Sequence, residues 1–201
     1  MDWQLLLLSF ALIFPVELPD KTFVAALVLS TRYRPLAVWI GVGLALGVQC
    51  LVAVTAGHAA SYLPDWVVHV VSTTMFLVGA IVLFRAAPRA DAEEKKQESE
   101  FARKAGTEQK GWHAVATSFV VLFAAEWGDL SQILTLNLVA KYGSPASVFV
   151  GAWVALLTVS GLAVLGGRVL LRYLKLSLLH YIAAGVCLVF ATVGIISVAT
   201  G

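Results

Sequence analysis

Residues 113–140 read HAVATSFVVLFAAEWGDLSQILTLNLVA, an apolar stretch that is interrupted at its middle by Glu126-Trp127-Gly128-Asp129-Leu130-Ser131. Residues 3–30 read WQLLLLSFALIFPVELPDKTFVAALVLS and are interrupted in the same place by Glu17-Leu18-Pro19-Asp20-Lys21-Thr22. The motif Glu-x-x-Asp-x-(Thr/Ser) is therefore present twice, 109 residues apart. A carboxylate at membrane depth costs several kcal/mol, so acidic residues inside apolar stretches indicate a functional site.

The composition is that of a membrane protein. Of the 201 residues, 60% are hydrophobic and 13% are charged, whereas a soluble domain has about 25% charged residues. The stretches 36–56, 66–84, 146–167 and 176–199 are each long enough for a helix that crosses a bilayer core of about 30 Å. Together with 3–30 and 113–140 they predict an all-α integral membrane protein with six transmembrane helices. An alternative that the sequence leaves open is that 3–30 and 113–140 are each broken into two half-segments at the motif.

The duplicated motif divides the chain into a first three-helix repeat at 1–87, a charged linker at 88–112 and a second three-helix repeat at 113–201. Because each repeat has an odd number of spans, the second enters the membrane from the opposite side, and the two are inverted repeats. The loops at 31–35, 85–112 and 168–175 carry twelve of the fourteen Lys and Arg residues. By the positive-inside rule, we expect a multi-pass protein of a bacterial plasma membrane whose linker is cytoplasmic and whose termini are extracytoplasmic.

The linker has six basic and six acidic residues within 88–112. A segment of this composition buries too little apolar surface to pack. We therefore expect a solvated linker, with at most a turn or two of helix at 93–104, that is dispensable for the chemistry.

The two motifs predict one metal site. Residues at i and i+3 share a helix face, so Glu17 with Asp20 and Glu126 with Asp129 each project two carboxylates in one direction. An antiparallel pairing of the two spans would bring all four together near the membrane midplane. Neutral oxygen ligands follow in both motifs, on Thr22, Ser131 and Gln132. Such an all-oxygen cage suits hard divalent cations such as Ca²⁺, Mn²⁺ or Mg²⁺.

The same four carboxylates are predicted to couple metal to protons. They cannot all stay ionised at low dielectric, so protons occupy the site when no metal is bound, and metal binding displaces them. Lys21 has no match in the second motif and is expected to tune the charge of the site. Pro19 lacks an N–H and leaves the Pro15 carbonyl without its helical partner, while Gly128 permits close helix approach or a local bend.

The doubled motif resembles that of the Golgi-type Ca²⁺/Mn²⁺:H⁺ antiporters and bacterial manganese exporters, a family of the lysine-exporter superfamily marked by two E-x-G-D-(K/R)-(S/T) motifs. The matching residues are Glu17, Asp20, Lys21 and Thr22 in the first copy, and Glu126, Trp127, Gly128, Asp129, Ser131 and Gln132 in the second. Pro19 stands where the family has glycine, and Leu130 where it has a basic residue. The resemblance implies a secondary transporter that exports Mn²⁺ or Ca²⁺ in exchange for protons. The ion is then the transported substrate, and neither a cofactor nor an enzymatic activity is expected.

Two alternatives stay open at the level of sequence. One is an exporter of an amino acid or another small solute, and the other is a membrane-embedded hydrolase, because Gly128-Asp129 superficially resembles the Gly-Asp pair of intramembrane aspartyl proteases. The expected partners are a divalent metal ion, protons and the lipid bilayer. No basic cluster indicates nucleic acid, and the sequence leaves homo-oligomerisation open.

Overall fold

In the computed structural model, the described backbone comprises residues 1–18, 20–106, 111–173 and 176–200, and the described side chains exclude those of 65, 167–173 and 197–200. Pro19 of the first motif and Glu108 and Lys110 of the linker lie outside the described residues. Within the described part the regular structure is helical. In chain order the helices are α1 (Trp3–Glu17), α2 (Lys21–Arg32), α3 (Pro35–Ala60), α4 (Asp65–Ala86), α5 (Ala90–Ala105), α6 (Trp112–Ala125), α7 (Leu130–Tyr142), α8 (Pro145–Tyr173) and α9 (Leu176–Thr200), with a 3₁₀ turn at Ala87–Arg89 between α4 and α5.

Four helices are long and apolar enough to cross a membrane. They cover Pro35–Ala60, Trp66–Ala105, Pro145–Gly166 and Leu176–Ile196, the second of which continues through the 3₁₀ turn into the charged helix α5. The four uninterrupted spans predicted from hydropathy are thus confirmed as long apolar helices. The described residues contain four such helices, or five when α6 and α7 are taken as one span. The predicted number of six spans in inverted repeats is not confirmed by these four or five helices.

The two spans that carry the motifs are both broken. α1 ends at Glu17 and α2 begins at Lys21, while α6 ends at Ala125 and α7 begins at Leu130. α6 and α7 are bent by 75° relative to each other. Of the two readings that the sequence left open, half-segments that end at the motif are therefore the one observed.

α3 and α8 occupy the centre of the bundle. α3 packs against α6, α7 and α8, and α8 packs against α1, α2 and α3. Gly41 on α3 faces the Val115 carbonyl of α6, and Gly151 on α8 faces the Leu6 carbonyl of α1, in each case so closely that a Cβ would collide with the backbone. Small residues allow helix backbones to approach in this way.

α4 and α9 form a second unit that packs mainly on itself. Phe76, Ala80, Cys187 and Ala191 lie in its buried seam, which touches the rest of the bundle through Val16 and neighbouring side chains. The outer faces of both helices carry exposed large apolar side chains, including Ile81, Phe84, Val189 and Ile196. Apolar faces of this extent are covered by lipid in a membrane protein.

The described part of the linker is more ordered than predicted. Most of its charged side chains are exposed, but the expectation of at most a turn or two of helix is wrong. Residues Ala90–Ala105 form a four-turn helix, α5, in which Ala90, Phe101 and Ala105 are buried against the bundle. Composition does not reveal this docking, because three apolar residues on one face of the helix are buried while most of its charged side chains stay exposed. One of these outward pairs is Lys104 with Glu100, at 2.7 Å, and it holds the pKa of Glu100 below its usual value.

Candidate metal centre

The two helix breaks place all four motif carboxylates at helix ends. Glu17 is the last residue of α1, and Asp20 is the N-cap of α2. Glu126 is the C-cap of α6, and Asp129 is the N-cap of α7. The expectation that each Glu and Asp share one continuous helix face is therefore wrong, since the helix ends between them.

The carboxylates nevertheless converge. Glu17, Asp20 and Glu126 each offer a carboxylate oxygen within 4.8 Å of the others. Asp129 is a charged neighbour of all three. The structure thus brings together acids from the two halves of the chain, as the repeated motif predicts. Asp129 lies just outside the tightest group of three.

Several of these oxygens are buried without a hydrogen-bond partner. Glu17 has no exposed surface, and Glu126 is 2% exposed. Oε2 of Glu17, both carboxylate oxygens of Glu126 and Oδ2 of Asp129 receive no hydrogen bond from the described residues. Buried polar atoms in folded proteins are almost always paired. These four oxygens therefore indicate a ligand or protons as their missing partners.

The neutral residues of the motifs divide into two roles. The hydroxyl of Thr22 is fully buried and donates to Oε1 of Glu17 at 2.6 Å, and Thr22 also lies beside Glu126. Ser131 is buried next to Glu17. Both hydroxyls are thus within the carboxylate cluster. Gln132 is instead occupied by the backbone, because its amide donates to the Glu126 carbonyl at 2.8 Å and its Oε1 accepts from the Gly128 N–H at 3.2 Å.

The second break depends on Gly128, whose φ of +80° lies in the left-handed region that favours glycine. A Cβ there would meet nothing within 4 Å. Of the two roles expected for Gly128, the structure shows the local bend and gives no close helix approach. Gln132 closes this turn from the first helical turn of α7. In the first break, Asp20 caps α2 by accepting the Lys21 N–H at 2.7 Å, whereas the Asp129 side chain makes no such cap.

A cavity of about 230 Å³ opens from the carboxylates toward α5. Asp20 and Asp129 line its inner part, and the exposed Lys21 lines it as well. Lys21 makes no ion pair within the described chain, where the single salt bridge joins Lys104 and Glu100. Leu130, in place of the basic residue of the family motif, adds apolar surface to the same cavity.

The opposite wall of the cavity was not anticipated from the sequence. It is formed by residues of α5 and α9, among them Glu93, Glu94, Gln97 and His180. Partial burial, with the nearby charges of Glu98 and Asp91, raises the pKa of Glu94. The signal that could have found this wall is the spacing of Ala90, Glu94, Gln97, Phe101 and Ala105, which recurs every three or four residues as on one face of a helix.

Comparison with known proteins identifies the family. The profile of GDT1, described as divalent cation/proton antiporter GDT1, matches residues 5–91 and 114–201. Protein PAM71, chloroplastic, of Arabidopsis thaliana is 32% identical over 96% of this chain, which spans 56% of the length of PAM71. The GDT1-like protein sll0615 of Synechocystis is 33% identical over 76% of this chain and 77% of its own length. GDT1-like protein 1, chloroplastic, of Oryza sativa subsp. indica is 31% identical over 94% of this chain and 61% of its own length.

No solved structure matches the chain. The relatives correct one prediction, that of a bacterial plasma membrane, because the plant proteins are named as chloroplastic and the third comes from a cyanobacterium. The cytoplasmic linker and extracytoplasmic termini were predicted from the distribution of Lys and Arg for a plasma membrane, and that orientation is not carried over to another membrane. We therefore use "linker side" only for the side of the bundle on which α5 lies.

The resemblance of the doubled motif to a family of cation/proton antiporters is confirmed. The family profile covers both halves of the chain and includes both motifs, and curated relatives match over most of its length. The chain belongs to the GDT1 family of divalent cation/proton antiporters.

Proposed function

We propose that this chain exchanges a divalent cation for protons at one site shared by Glu17, Asp20, Glu126 and Asp129. The observation that carries the proposal is the convergence of three of these carboxylates within 4.8 Å, with buried oxygens that lack partners. A divalent cation supplies those partners when it is bound, and protons supply them when it is absent. Metal and protons therefore exchange, because each provides partners for the same carboxylate oxygens and charge repulsion excludes binding of both at once.

The donor set favours a hard cation. Its members are carboxylates, with the hydroxyls of Thr22 and Ser131 beside them, and no His or Cys of the described chain joins the cluster. Oxygen-only ligation suits Mn²⁺, Ca²⁺ and Mg²⁺, whereas Zn²⁺ and copper more often recruit nitrogen or sulfur. We propose Mn²⁺ as the first substrate to test and Ca²⁺ as the second. The ion is cargo, so it is the substrate of the protein and not a cofactor.

We further propose that the two halves are inverted repeats of three spans each, with α1–α2 and α6–α7 each counting as one broken span. Equivalent contacts support this arrangement. Gly41 packs on Ser118 of α6, and Gly151 packs on Ser9 of α1. The first contact takes its glycine from the first half and its serine from the second, and the second contact does the reverse. The two glycines are separated by nearly the same number of residues as the two serines. The acids are also equivalent, since Asp20 and Asp129 each N-cap the second half-helix. Related pairs of broken helices form ion sites in many secondary transporters.

The two alternatives lack this support. A hydrolase does not fit a family of transporters. A small organic solute would need aromatic and mixed-charge groups around it, whereas four carboxylates surround this site.

The test is metal-dependent proton flux. The full chain is reconstituted in liposomes that contain a pH indicator, and Mn²⁺, Ca²⁺, Mg²⁺ or Zn²⁺ is added outside. We expect Mn²⁺ or Ca²⁺ to enter while protons leave, and an imposed pH gradient to drive metal against its concentration gradient. Metal uptake that is indifferent to the pH gradient and moves no protons would contradict the proposal.

A further inference from the structure

We infer that α5 forms one wall of the route by which a divalent cation reaches the carboxylate site from the linker side, and that Glu93 and Glu94 bind the ion transiently on that route. The inference rests on the proposed function, because it extends the same site outward. It assigns a role in transport to a segment that composition alone identifies as a polar linker.

The first support is that α5 is fixed in place at both ends. At its C-terminal end Phe101 and Ala105 are buried in the core, and the Tyr33 hydroxyl donates to the Ala105 carbonyl. At its N-terminal end the Asp91 carboxylate accepts hydrogen bonds from the N–H and the hydroxyl of Ser177 at 3.0 and 3.2 Å. α5 is therefore held against the bundle at both ends, and the orientation of its middle turns relative to the bundle is fixed.

The second support is the cavity between α5 and the site. Its volume of about 230 Å³ is well above the roughly 10–15 Å³ that a single water requires, so a partly hydrated ion fits. Glu93, which is exposed, and Glu94, which is half-buried, line it on the α5 side, and we call them the outer acids. Asp20 and Asp129 line it at the helix breaks. Asp20 also belongs to the group of three converging carboxylates. The cavity thus connects the linker helix directly with the metal centre.

The third support lies at the inner end of the cavity. Oδ2 of Asp129, which lines the cavity, is buried and has no hydrogen-bond partner in the described chain. Asp20 lies within 4.8 Å, between carboxylate oxygens, of Glu17 and Glu126. Both glutamates are at least nine-tenths buried and have an unpartnered carboxylate oxygen. The hydrogen-bonding capacity of these buried oxygens is not satisfied within the described chain, and Asp20 connects them with the cavity.

The charges along the cavity explain why the outer acids matter. Its lining includes four carboxylates, from Asp20, Asp129, Glu93 and Glu94, against the single ammonium of Lys21. A cleft lined mainly by one sign of charge concentrates counter-ions and speeds their arrival at an inner site. Removing the outer pair should therefore change how much metal is needed for transport and leave the inner site intact.

The experiment compares the double variant Glu93→Gln/Glu94→Gln with Glu98→Gln in reconstituted full-length protein. Glu98 lies one turn beyond Glu94 on the same helix and does not line the cavity, so its variant removes a nearby charge outside the route. Initial rates of Mn²⁺-dependent proton flux are measured against Mn²⁺ concentration. We expect the double variant to raise the half-saturating concentration at least about three-fold with a maximal rate within about two-fold of wild type, and Glu98→Gln to resemble wild type.

Equal curves for the double variant and Glu98→Gln would overturn the inference, and so would a loss of maximal rate without any change in half-saturation. If the double variant does not insert, Gln97→Glu provides the test from the opposite direction. It adds a carboxylate to the same wall and should lower the half-saturating concentration, and an unchanged or higher value would overturn the inference. Wild-type protein that moves no metal-coupled protons would instead refute the proposed function, so the two failures are distinguishable.

Discussion

Replacing Glu17 or Glu126 with Gln should weaken divalent-cation binding strongly and by a similar amount. The substitution keeps the size of the side chain and, at Glu17, the oxygen that accepts from Thr22, while it removes one negative charge from the cluster. The two residues come from different halves of the chain, and their carboxylate oxygens lie within 4.8 Å of each other. The proposed shared site therefore requires both of them.

The magnitude follows from the geometry. At the upper bound of 4.8 Å between the three oxygens, an ion equidistant from them in their plane lies about 2.8 Å from each, close to the 2.3–2.6 Å of Ca²⁺–oxygen ligation. At an effective dielectric constant of about 20, a carboxylate and a divalent ion at about 2.8 Å attract each other by about 12 kcal/mol. If roughly four-fifths of this is offset by desolvation, about 2.4 kcal/mol remains, which is an affinity loss of about 50-fold.

The assay is calorimetric titration of the purified protein with Mn²⁺ and Ca²⁺, followed by proton flux in liposomes. Both Gln variants should lose affinity at least about ten-fold and lose coupled flux, whereas Glu98→Gln should retain both. Thr22→Ala and Ser131→Ala should be milder, because water readily replaces a neutral ligand. Loss of transport in Glu17→Gln together with near-normal transport in Glu126→Gln would refute the single shared site.

Three further predictions concern stability. Gly128→Ala should lower the free energy of unfolding by about 1–2 kcal/mol, because residue 128 has a positive φ. Gly185→Ala, at an open helical position, should raise the free energy of unfolding by about 0.5–1 kcal/mol. Equal shifts of the melting temperature of the two variants in detergent would contradict this difference. Gly41→Ala and Gly151→Ala should each cost about 1–3 kcal/mol through the clash with a facing carbonyl, and an unchanged melting temperature in either would show that its helix pair is looser than described. Tyr33→Phe should cost about 1 kcal/mol and increase hydrogen exchange in the C-terminal half of α5, and unchanged exchange there would show that this bond does not hold the helix.

The sequence predicted that the four acids converge, and the structure brings them together, but the expected local geometry was wrong. Glu17 and Asp20 were expected on one helix face, whereas they lie on the two sides of a helix break. Signals for the breaks are present in retrospect, since Asp20 and Asp129 are good N-cap residues and Gly128 supports a turn. In an apolar segment of spanning length these signals compete with continuous helix, so hydropathy alone left both readings open.

The docking of α5 could not be predicted from composition, because it depends on partners far away in the chain. Phe101 and Ala105 bury little apolar surface alone and need the face of α2 and the Tyr33 hydroxyl to be fixed. Ser177 is 86 residues from the Asp91 carboxylate that it contacts. The role of Gln132 has a similar origin, since an amide beside a cluster of acids suggests a ligand until the turn that it closes is seen.

The glycine contacts of α3 and α8 also determine which parts of the protein can slide. At Gly41 and Gly151 the helix backbones approach each other directly, and the side chains at the contact are the small ones of Ser118 and Ser9, which have little room to repack. A shift of α3 along α6, or of α8 along α1, would drive the next side chain into a carbonyl oxygen, so these interfaces resist shear. The α4–α9 pair meets the rest of the bundle through side chains such as Phe76 and Val16, which adjust by changing rotamer. A relative displacement of helices at the α4–α9 boundary therefore meets less steric resistance than one at the glycine contacts.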